Sequence, residues 1–195
     1  LGHSHEQRLR MLDRYPDLVE ARDDLYLERI TLLNQLARYE EARQMISRRT
    51  FHPWEGGEGK VPAQYQIAHL ELAKQCLLRQ EYEPALQLLQ ACLEYPHHLG
   101  EGKLHGAQEN DFYYFMGCAL QGMGKTEQAR ECFLKASSGL SEPAPAIFYN
   151  DQKPDTIFYQ GCALLKLGRA EESGGRFRKL IAYRGGHFNG NGVIE

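Results

Sequence analysis

The chain has 195 residues, of which 42% are hydrophobic, 10% aromatic and 25% charged. This composition excludes a collagen, a low-complexity disordered chain and a disulfide-dense mini-protein, and it indicates an ordinary globular polypeptide. The 23 Lys and Arg residues stand against 26 Asp and Glu residues, so the formal net charge is −3 and no basic excess is available to neutralise phosphates. We therefore expect no nucleic acid partner.

The cysteines and the start of the chain indicate its setting. The five cysteines never form a CxxC pair, and none has a histidine at a metal-ligand spacing. We interpret them as reduced core residues of a cytoplasmic protein that holds no metal and no cofactor. No run of 18 apolar residues occurs, so we expect no membrane span. Because the chain begins with Leu1 and not with Met, we expect it to be a fragment of a longer protein.

Residues 1–22 precede the first repeated segment. The apolar residues Leu9, Met11, Leu12 and Tyr15 come just before Pro16. Their helical spacing predicts the end of a preceding, truncated repeat.

Small and large apolar residues then recur at fixed offsets. The pattern is clearest as Gly117, Leu120, Gly124, Ala129, Phe133 and Ala136, and again as Gly161, Leu164, Gly168, Ser173, Phe177 and Leu180. Two earlier segments fit the same template with Ala73, Cys76, Ala85, Leu89 and Cys92, and with Ile30, Leu33, Ala42 and Ile46. Equivalent positions lie 43 or 44 residues apart. A fixed period of this length predicts a stacked repeat architecture.

Each repeated unit predicts two amphipathic helices joined by a tight turn, and hence an all-α fold. Gly124 and Gly168 suit the left-handed conformation that ends a first helix, and Thr126 is expected to cap a second helix. Ala37 and Gln80 hold the turn position in the first two units. The small residues expected to allow close helix approach are Ala42, Ala85, Ala129 and Ser173, and the large ones expected to fill the space between helices are Phe133 and Phe177.

This order of small, large, Gly, Ala, Phe and Ala positions resembles the tetratricopeptide repeat (TPR) family between Asp23 and Ala182. The resemblance implies a right-handed solenoid of about four helical hairpins in a single domain, residues 1–195. Its units are 23–65, 66–109, 110–153 and 154–195. The usual TPR period is about 34 residues, so the period of 43–44 implies long loops between the repeats.

The TPR resemblance also implies that the first helix of each unit lines a concave binding face. By position, that face includes Asn34, Leu70, Lys74, Tyr114, Gln121 and Phe158. Only Lys74 and Asn34 suit the capture of a partner's C-terminal carboxylate, which argues against that type of clamp. The alternative is that many of these side chains pack between neighbouring helices.

The loops between units carry a repeated motif of their own. Gly57-Glu58-Gly59-Lys60 returns as Gly100-Glu101-Gly102-Lys103, which matches the helix period and predicts that the loops share one edge. The candidate binding residues at this edge are Trp54, Glu55, Glu58, Lys60, Glu101, Lys103, Tyr149, Asn150 and Asp151. The structural interpretation is that the glycines make turns, Trp54 covers the core, and Glu58 and Glu101 cap helices. The functional interpretation is that long loops rich in acids and aromatic residues bind a ligand.

Catalytic motifs are not completed by this sequence. A phosphate-binding loop needs a glycine five residues before the Gly-Lys pair, and Trp54, His97 and Ala119 hold that position. His97, His98 and His105 lack the further ligands of a metal site. Carboxylates at the loop edge could flank a glycosidic bond, but a helical edge makes a poor water-excluding cleft. We therefore predict no catalytic activity.

The leading functional hypothesis is a non-enzymatic scaffold that binds a protein, a peptide or another domain of its parent chain. The loops also resemble, more weakly, those in the TPR region of large bacterial proteins that carry a mutarotase-like sandwich domain. That resemblance implies the alternative hypothesis, an accessory region of a carbohydrate-active enzyme whose acidic loops help to form a sugar site.

Overall fold

All regular secondary structure in the computed structural model, which describes residues 2–146 and 151–188 and only the backbone of 184–188, is helical. The all-α fold class is therefore confirmed. The helices are α1 (His5–Leu12), α2 (Pro16–Ala21), α3 (Asp23–Gln35), α4 (Tyr39–Ser47), α5 (Lys60–Leu78), α6 (Tyr82–Cys92), α7 (Asn110–Gly122), α8 (Thr126–Ala136), α9 (Pro154–Lys166) and α10 (Ala170–Phe188). A short 3-10 turn spans His97–Leu99.

The chain divides into two compact units. The first unit, Leu1–His105, contains α1 to α6, and the second unit, Gly106–Glu195, contains α7 to α10. In the first unit, α1 and α2 pack against α3, while α5 packs against both α3 and α4. In the second unit, α9 packs in the same way against both α7 and α8. The right-handed stack of about four hairpins in one domain stays a prediction.

Four helix pairs, α3/α4, α5/α6, α7/α8 and α9/α10, are joined by the same turn. A left-handed residue follows the first helix of each pair, and these residues are Ala37, Gln80, Gly124 and Gly168, with φ of 57°, 61°, 73° and 75°. One residue later, a backbone N–H donates to the carbonyl five residues back, and the four bonds, Arg38 to Leu33, Glu81 to Cys76, Lys125 to Leu120 and Arg169 to Leu164, all measure 2.9 Å. This is the Schellman arrangement, which satisfies carbonyls left open at a helix end.

The cap predicted at Thr126 is wrong. Helix α8 begins at Thr126 itself, and Lys125 is the residue that precedes the helix, without a side-chain cap bond. The Schellman turn explains the difference, because it places the residue after the left-handed glycine at the N-cap and leaves Thr126 as the first helical residue.

The start of the first helix is tied to the end of the second helix in three of the pairs. In α3/α4, Arg49 Nε donates to Asp23 Oδ1 at 2.6 Å. At the equivalent positions, Gln66 Nε2 donates to the Cys92 carbonyl at 3.1 Å, and Asn110 Nδ2 donates to the Ala136 carbonyl at 2.8 Å. The ties therefore occur in one register although their chemistry differs, and they account for a charged Arg49 at a position where the other pairs carry Cys92 and Ala136.

The interior of the pairs matches small residues with large ones. A Cβ placed on Gly117 would lie 2.5 Å from a ring carbon of Phe133, and one placed on Gly161 would lie 2.5 Å from a ring carbon of Phe177. The predicted role of these two aromatic rings is confirmed. The predicted small residues at the helix crossings, Ala42, Ala85, Ala129 and Ser173, are all buried.

All five cysteines are free thiols. Cys76, Cys92 and Cys132 are buried, but Cys118 and Cys162 are partly exposed, so the prediction of five core cysteines is wrong for these two. Both lie at the same register of a first helix, α7 or α9, on the face that packs toward the following helix and is only partly covered. Burial raises the pKa of both thiols, so they are protonated at neutral pH.

Within residues 2–146 and 151–188, no helix is long and apolar enough to cross a membrane.

Candidate functional site

The two loops of the first unit contact each other. The Phe51 N–H donates to the His98 carbonyl at 2.8 Å, and the Gly59 N–H donates to Glu101 Oε2 at 2.7 Å. Phe51 and Leu99 are both buried in the core of this unit and anchor the loops to it. The loops therefore form one ordered surface, here called the loop edge (residues 51–60 and 95–104).

The two copies of the Gly-Glu-Gly-Lys motif adopt different backbone conformations. In the first copy the left-handed residue is Gly59, which directly precedes α5. In the second copy it is Gly100, which ends the 3-10 turn, and α7 does not begin until Asn110. Because the first copy starts its helix early, α5 has 19 residues and α7 has 13. The repeat in sequence is therefore not a repeat in local structure.

The different backbones give equivalent side chains different surroundings. Glu58 and Lys60 are exposed, whereas Glu101 is half-buried and its carboxylate accepts the N–H at the start of α5. Lys103 Nζ donates to the Leu93 carbonyl at 3.2 Å, at the end of α6. Both contacts place a charge where it complements a helix dipole. The structural interpretation therefore holds for Glu101, although the helix that it caps is α5 and not a following one, and it does not hold for Glu58, which caps no helix.

Trp54 is partly buried against the core of the first unit. Its indole ring lies over Gly57, where a Cβ would collide with the ring atoms. Glu55, next along the chain, is exposed. The glycine after the tryptophan therefore makes room for the indole, and Trp54 covers the core as the structural interpretation requires.

Glu101→Ala is expected to lower the free energy of unfolding by about 1 kcal/mol, because the helix N-terminus at Gly59 loses its carboxylate acceptor. Glu58→Ala is the matched control, since it removes the same charge from an exposed position. We expect that control to stay within about 0.5 kcal/mol of the parent chain. Urea unfolding of both variants measures the difference, and equal losses would contradict the capping role of Glu101.

The third loop lies only partly within the described residues. Tyr149 and Asn150, two of the predicted binding residues, fall outside them. Asp151 is half-buried. The described end of the loop is held by Gln152 and Gln160, whose side-chain amides donate to the Leu140 carbonyl at 2.6 and 3.0 Å.

The concave-face residues predicted in the first unit are mostly occupied by contacts within it. Asn34 is buried, and its amide donates to the backbone carbonyl of Gln64 at 3.1 Å and to the side-chain oxygen of the same residue at 2.9 Å. Leu70 is buried, and Lys74 donates to Glu71 at 2.6 Å. For Asn34 and Leu70 the alternative interpretation, packing between helices, therefore applies.

The concave-face residues predicted in the second unit belong to an aromatic cluster. The cluster consists of Tyr114, Phe115, Phe133, Phe158, Tyr159 and Phe177, and its ring centroids lie 5.2 to 6.1 Å apart. Burial raises the pKa of the Tyr114 hydroxyl, and the nearby thiols of Cys118 and Cys162 raise it further. Gln121 is exposed and accepts a hydrogen bond from Lys166 at 2.9 Å.

Two members of the predicted site were missed by sequence reasoning. Phe115 and Tyr159 complete the cluster, with their ring centroids 5.6 Å apart. Their signal was available, because they stand at the same position of α7 and α9, one period apart. The concave-face pattern took only the residue before each of them.

The outer side of α9 is apolar and open to solvent. Phe158 is 47% exposed and Leu165 is 54% exposed. On α10, Ile181 is 73% exposed. These three residues define what we call the α9 face.

A pocket of about 460 Å³ lies in the first unit between α3 and α4 and was not predicted. Three arginines contribute to its walls, but two are already paired: Arg29 with Asp13 at 2.9 Å, and Arg49 with Asp23 at 2.6 Å. The Arg49 guanidinium also lies 4.5 Å above the Tyr26 ring. The remaining lining residues are Glu20, Leu33, Glu41, Gln44, Met45 and Arg48.

The described residues contain no group of three or more His, Cys, Asp and Glu side chains placed to hold a metal ion.

Comparison with known proteins gives little further information. No protein-family model matches the sequence. Among solved structures, the chain is similar to the MamA RS-1 ArsTM double mutant, with 15% sequence identity and a TM-score of 0.45. The alignment covers 94% of this chain and 87% of that chain.

Proposed function

We propose that the chain is a TPR-like helical-repeat scaffold, without catalytic activity of its own, that binds a protein, a peptide or another domain of its parent chain. The four equivalent turns at a spacing of 43 or 44 residues support the repeat architecture. Helical repeats of this kind build continuous surfaces from equivalent positions of successive units. Such surfaces suit binding of extended or helical segments more than enclosed chemistry.

The observation that carries the proposal is the α9 face. Three large apolar side chains, Phe158, Leu165 and Ile181, are each close to half exposed or more within the second unit. Apolar side chains grouped on one surface of a soluble domain mark an interaction site more often than single scattered ones do. The aromatic residue among them is of the type that dominates binding energy in protein interfaces.

The loop edge remains a second, untested place for binding. Its open side chains are Glu55, Glu58 and Lys60, while Trp54, Glu101 and Lys103 contact the protein's own atoms. For the carbohydrate alternative this leaves exposed acids without an exposed aromatic platform. A titration of Trp54 fluorescence with oligosaccharides tests that alternative directly, because Trp54 is the only tryptophan.

Selection of peptides from a random phage-displayed library on the intact chain tests the proposed function. Selected peptides, labelled with fluorescein, are titrated with the parent chain and with Phe158→Glu and Leu165→Glu variants. A charge at the centre of an apolar interface is expected to weaken binding tenfold or more, which corresponds to about 1.4 kcal/mol. Leu78→Glu is the matched control, since Leu78 is 86% exposed on α5 in the first unit.

Binding that both α9 variants leave unchanged would contradict the proposed site. If Glu55→Ala and Glu58→Ala abolish the same binding, the site belongs to the loop edge. Each variant should retain the helical spectrum and melting temperature of the parent chain, because all the altered side chains are exposed.

A further inference from the structure

The second unit contains two helix pairs in one register, and the first pair shows how the exposed face of the second pair can be covered. We propose that the α9 face binds an amphipathic helix of a partner protein, in the way that α9 itself packs on α7 and α8. This inference rests on the proposed function, since it names the partner structure for the same site.

The two faces are built alike. Tyr114 and Phe133 form one ring pair, with centroids 6.1 Å apart and an interplanar angle of 51°. The residues one period later, Phe158 and Phe177, form the corresponding pair at 5.8 Å and 46°. In both pairs the large ring is seated on a glycine of the first helix, as the identical 2.5 Å approach to the Cβ position shows. The α9 face therefore repeats the surface of α7 and α8.

The surface of α7 and α8 is covered by α9. Tyr159 on α9 lies 5.9 Å from Tyr114 and 5.6 Å from Phe115, measured between ring centroids. Seven residues later on α9, Lys166 donates to Gln121. An α-helix is therefore the structure that this type of surface accepts in the protein itself, with contacts at positions i and i+7 of one helix face.

The α9 face differs from the covered surface at two positions, and the differences define the partner. Leu165 stands where α7 has the polar Gln121, and Ile181 stands where the end of α8 has Ser137. Both are well exposed. The partner helix therefore needs an aromatic residue at the position of Tyr159 and an apolar residue, in place of Lys166, seven residues later. Packing of such a helix removes the exposed apolar surface from water.

A synthetic peptide based on α9 tests the inference with a probe of known sequence. The peptide carries the sequence of residues 153–169, with Phe158→Gln and Leu165→Gln for solubility and Lys166→Leu to face Leu165 of the intact chain. Its binding is followed by fluorescence anisotropy, and its helicity by circular dichroism. We expect saturable binding, a gain of helicity on binding, and a loss of affinity of tenfold or more with the Phe158→Glu chain and with the Leu165→Glu chain. The Leu78→Glu chain should bind as the parent chain does.

Two peptide variants test the helix and its register. Replacing Tyr159 by Gln within the peptide should weaken binding tenfold or more, and so should replacing Ala163 by Pro, which breaks the helix. Equal binding of the Pro variant would overturn the inference, as would binding that the Phe158→Glu and Leu165→Glu chains retain. If the α9 peptide does not bind while library peptides bind in a Phe158-dependent way, the helix inference fails and the proposed function stands. If no peptide depends on Phe158 or Leu165, the proposed site fails as well.

Discussion

Phe133→Ala is expected to lower the free energy of unfolding by about 3–5 kcal/mol, the range seen when a buried phenylalanine is truncated. Phe133 is only 3% exposed, and its ring is seated against the backbone of Gly117. Neighbouring side chains cannot fill the space, because it is bounded on one side by the helix backbone of α7. Chemical denaturation followed by circular dichroism measures the loss, and an unchanged midpoint would contradict the repeat interior described here.

A double-mutant cycle tests the match between Gly117 and Phe133. In the second helix pair the same register positions hold Ala73 and Leu89, both buried. Gly117→Ala alone is expected to destabilise the chain, although alanine favours a helix by about 1 kcal/mol over glycine, because its Cβ would meet the Phe133 ring. Combined with Phe133→Leu, it should cost less than the sum of the single changes, with a coupling of about 1 kcal/mol or more.

Gly175→Ala is the control for that cycle. Gly175 lies inside α10, and a Cβ there would meet no atom within 4 Å. This variant should therefore be more stable than the parent chain by up to about 1 kcal/mol. Equal effects of Gly117→Ala and Gly175→Ala, or strict additivity in the cycle, would show that the Phe133 ring does not constrain position 117.

The helix pairs were predictable from sequence because their determinants are local and repeated. Ala37 and Gln80 adopt the left-handed conformation of Gly124 and Gly168. Residue type does not favour this for alanine or glutamine, at a cost of about 1–2 kcal/mol each. The register of the surrounding apolar residues predicted the turn correctly where propensity did not, because packing of the two helices fixes where the first must end.

The loops were less predictable because their conformation depends on contacts distant in sequence. Gly59 and Gly102 are equivalent in sequence, but only Gly59 has a positive φ. The left-handed position of the second motif is Gly100, where a Cβ would lie 2.5 Å from the Phe51 carbonyl oxygen. A neighbouring loop, about 50 residues away in the chain, therefore decides which glycine turns, and no pattern within the motif reports it.

The candidate site was predictable in part for the same reason. Sequence position identified Phe158 and Tyr114 together, but it could not show that one is exposed and the other half-buried. That difference arises because α9 covers Tyr114, while the same side of α9 is open. Equivalence along a repeat thus predicts which residues share a face, and the packing of neighbouring helices decides which of them a partner can reach.

Asp23→Ala is the second substitution with a large expected effect. The Asp23 carboxylate accepts hydrogen bonds from Arg49 Nε at 2.6 Å and from the His52 N–H at 2.9 Å. The side chains of Asp23 and Arg49 are each only 17% exposed. Removing the carboxylate leaves a partly buried guanidinium with a lost partner and frees the loop at His52. We expect a loss of about 2–3 kcal/mol in the free energy of unfolding, since hydrogen bonds to charged groups contribute about 1.5–3 kcal/mol.

Asp24→Ala is the matched control, because the two aspartates are adjacent in the first turn of α3. Asp24 pairs with Arg22 at the surface, where its side chain is 47% exposed. An exposed pair of this kind contributes little, so we expect a loss of about 0.5 kcal/mol or less. Similar losses for the two variants would show that charge in the first turn of α3, and not the tie to Arg49, is what stabilises this pair.

The pH dependence of the Asp23 effect follows from the direction of its pKa shift. Burial by itself raises the pKa of the Asp23 carboxyl, but the hydrogen bonds from the His52 N–H and from Arg49 outweigh it and hold the pKa below its ordinary value. A group with a lowered pKa in the folded state stabilises fully above its unfolded pKa of about 3.9, and that stabilisation is lost as the pH falls through the folded pKa. The stability gap between the parent chain and Asp23→Ala should therefore be constant from pH 7 to about 5 and should shrink below about pH 4. A gap that stays unchanged down to pH 2, measured by urea unfolding at each pH, would contradict an ionised Asp23 as the source of the stabilisation.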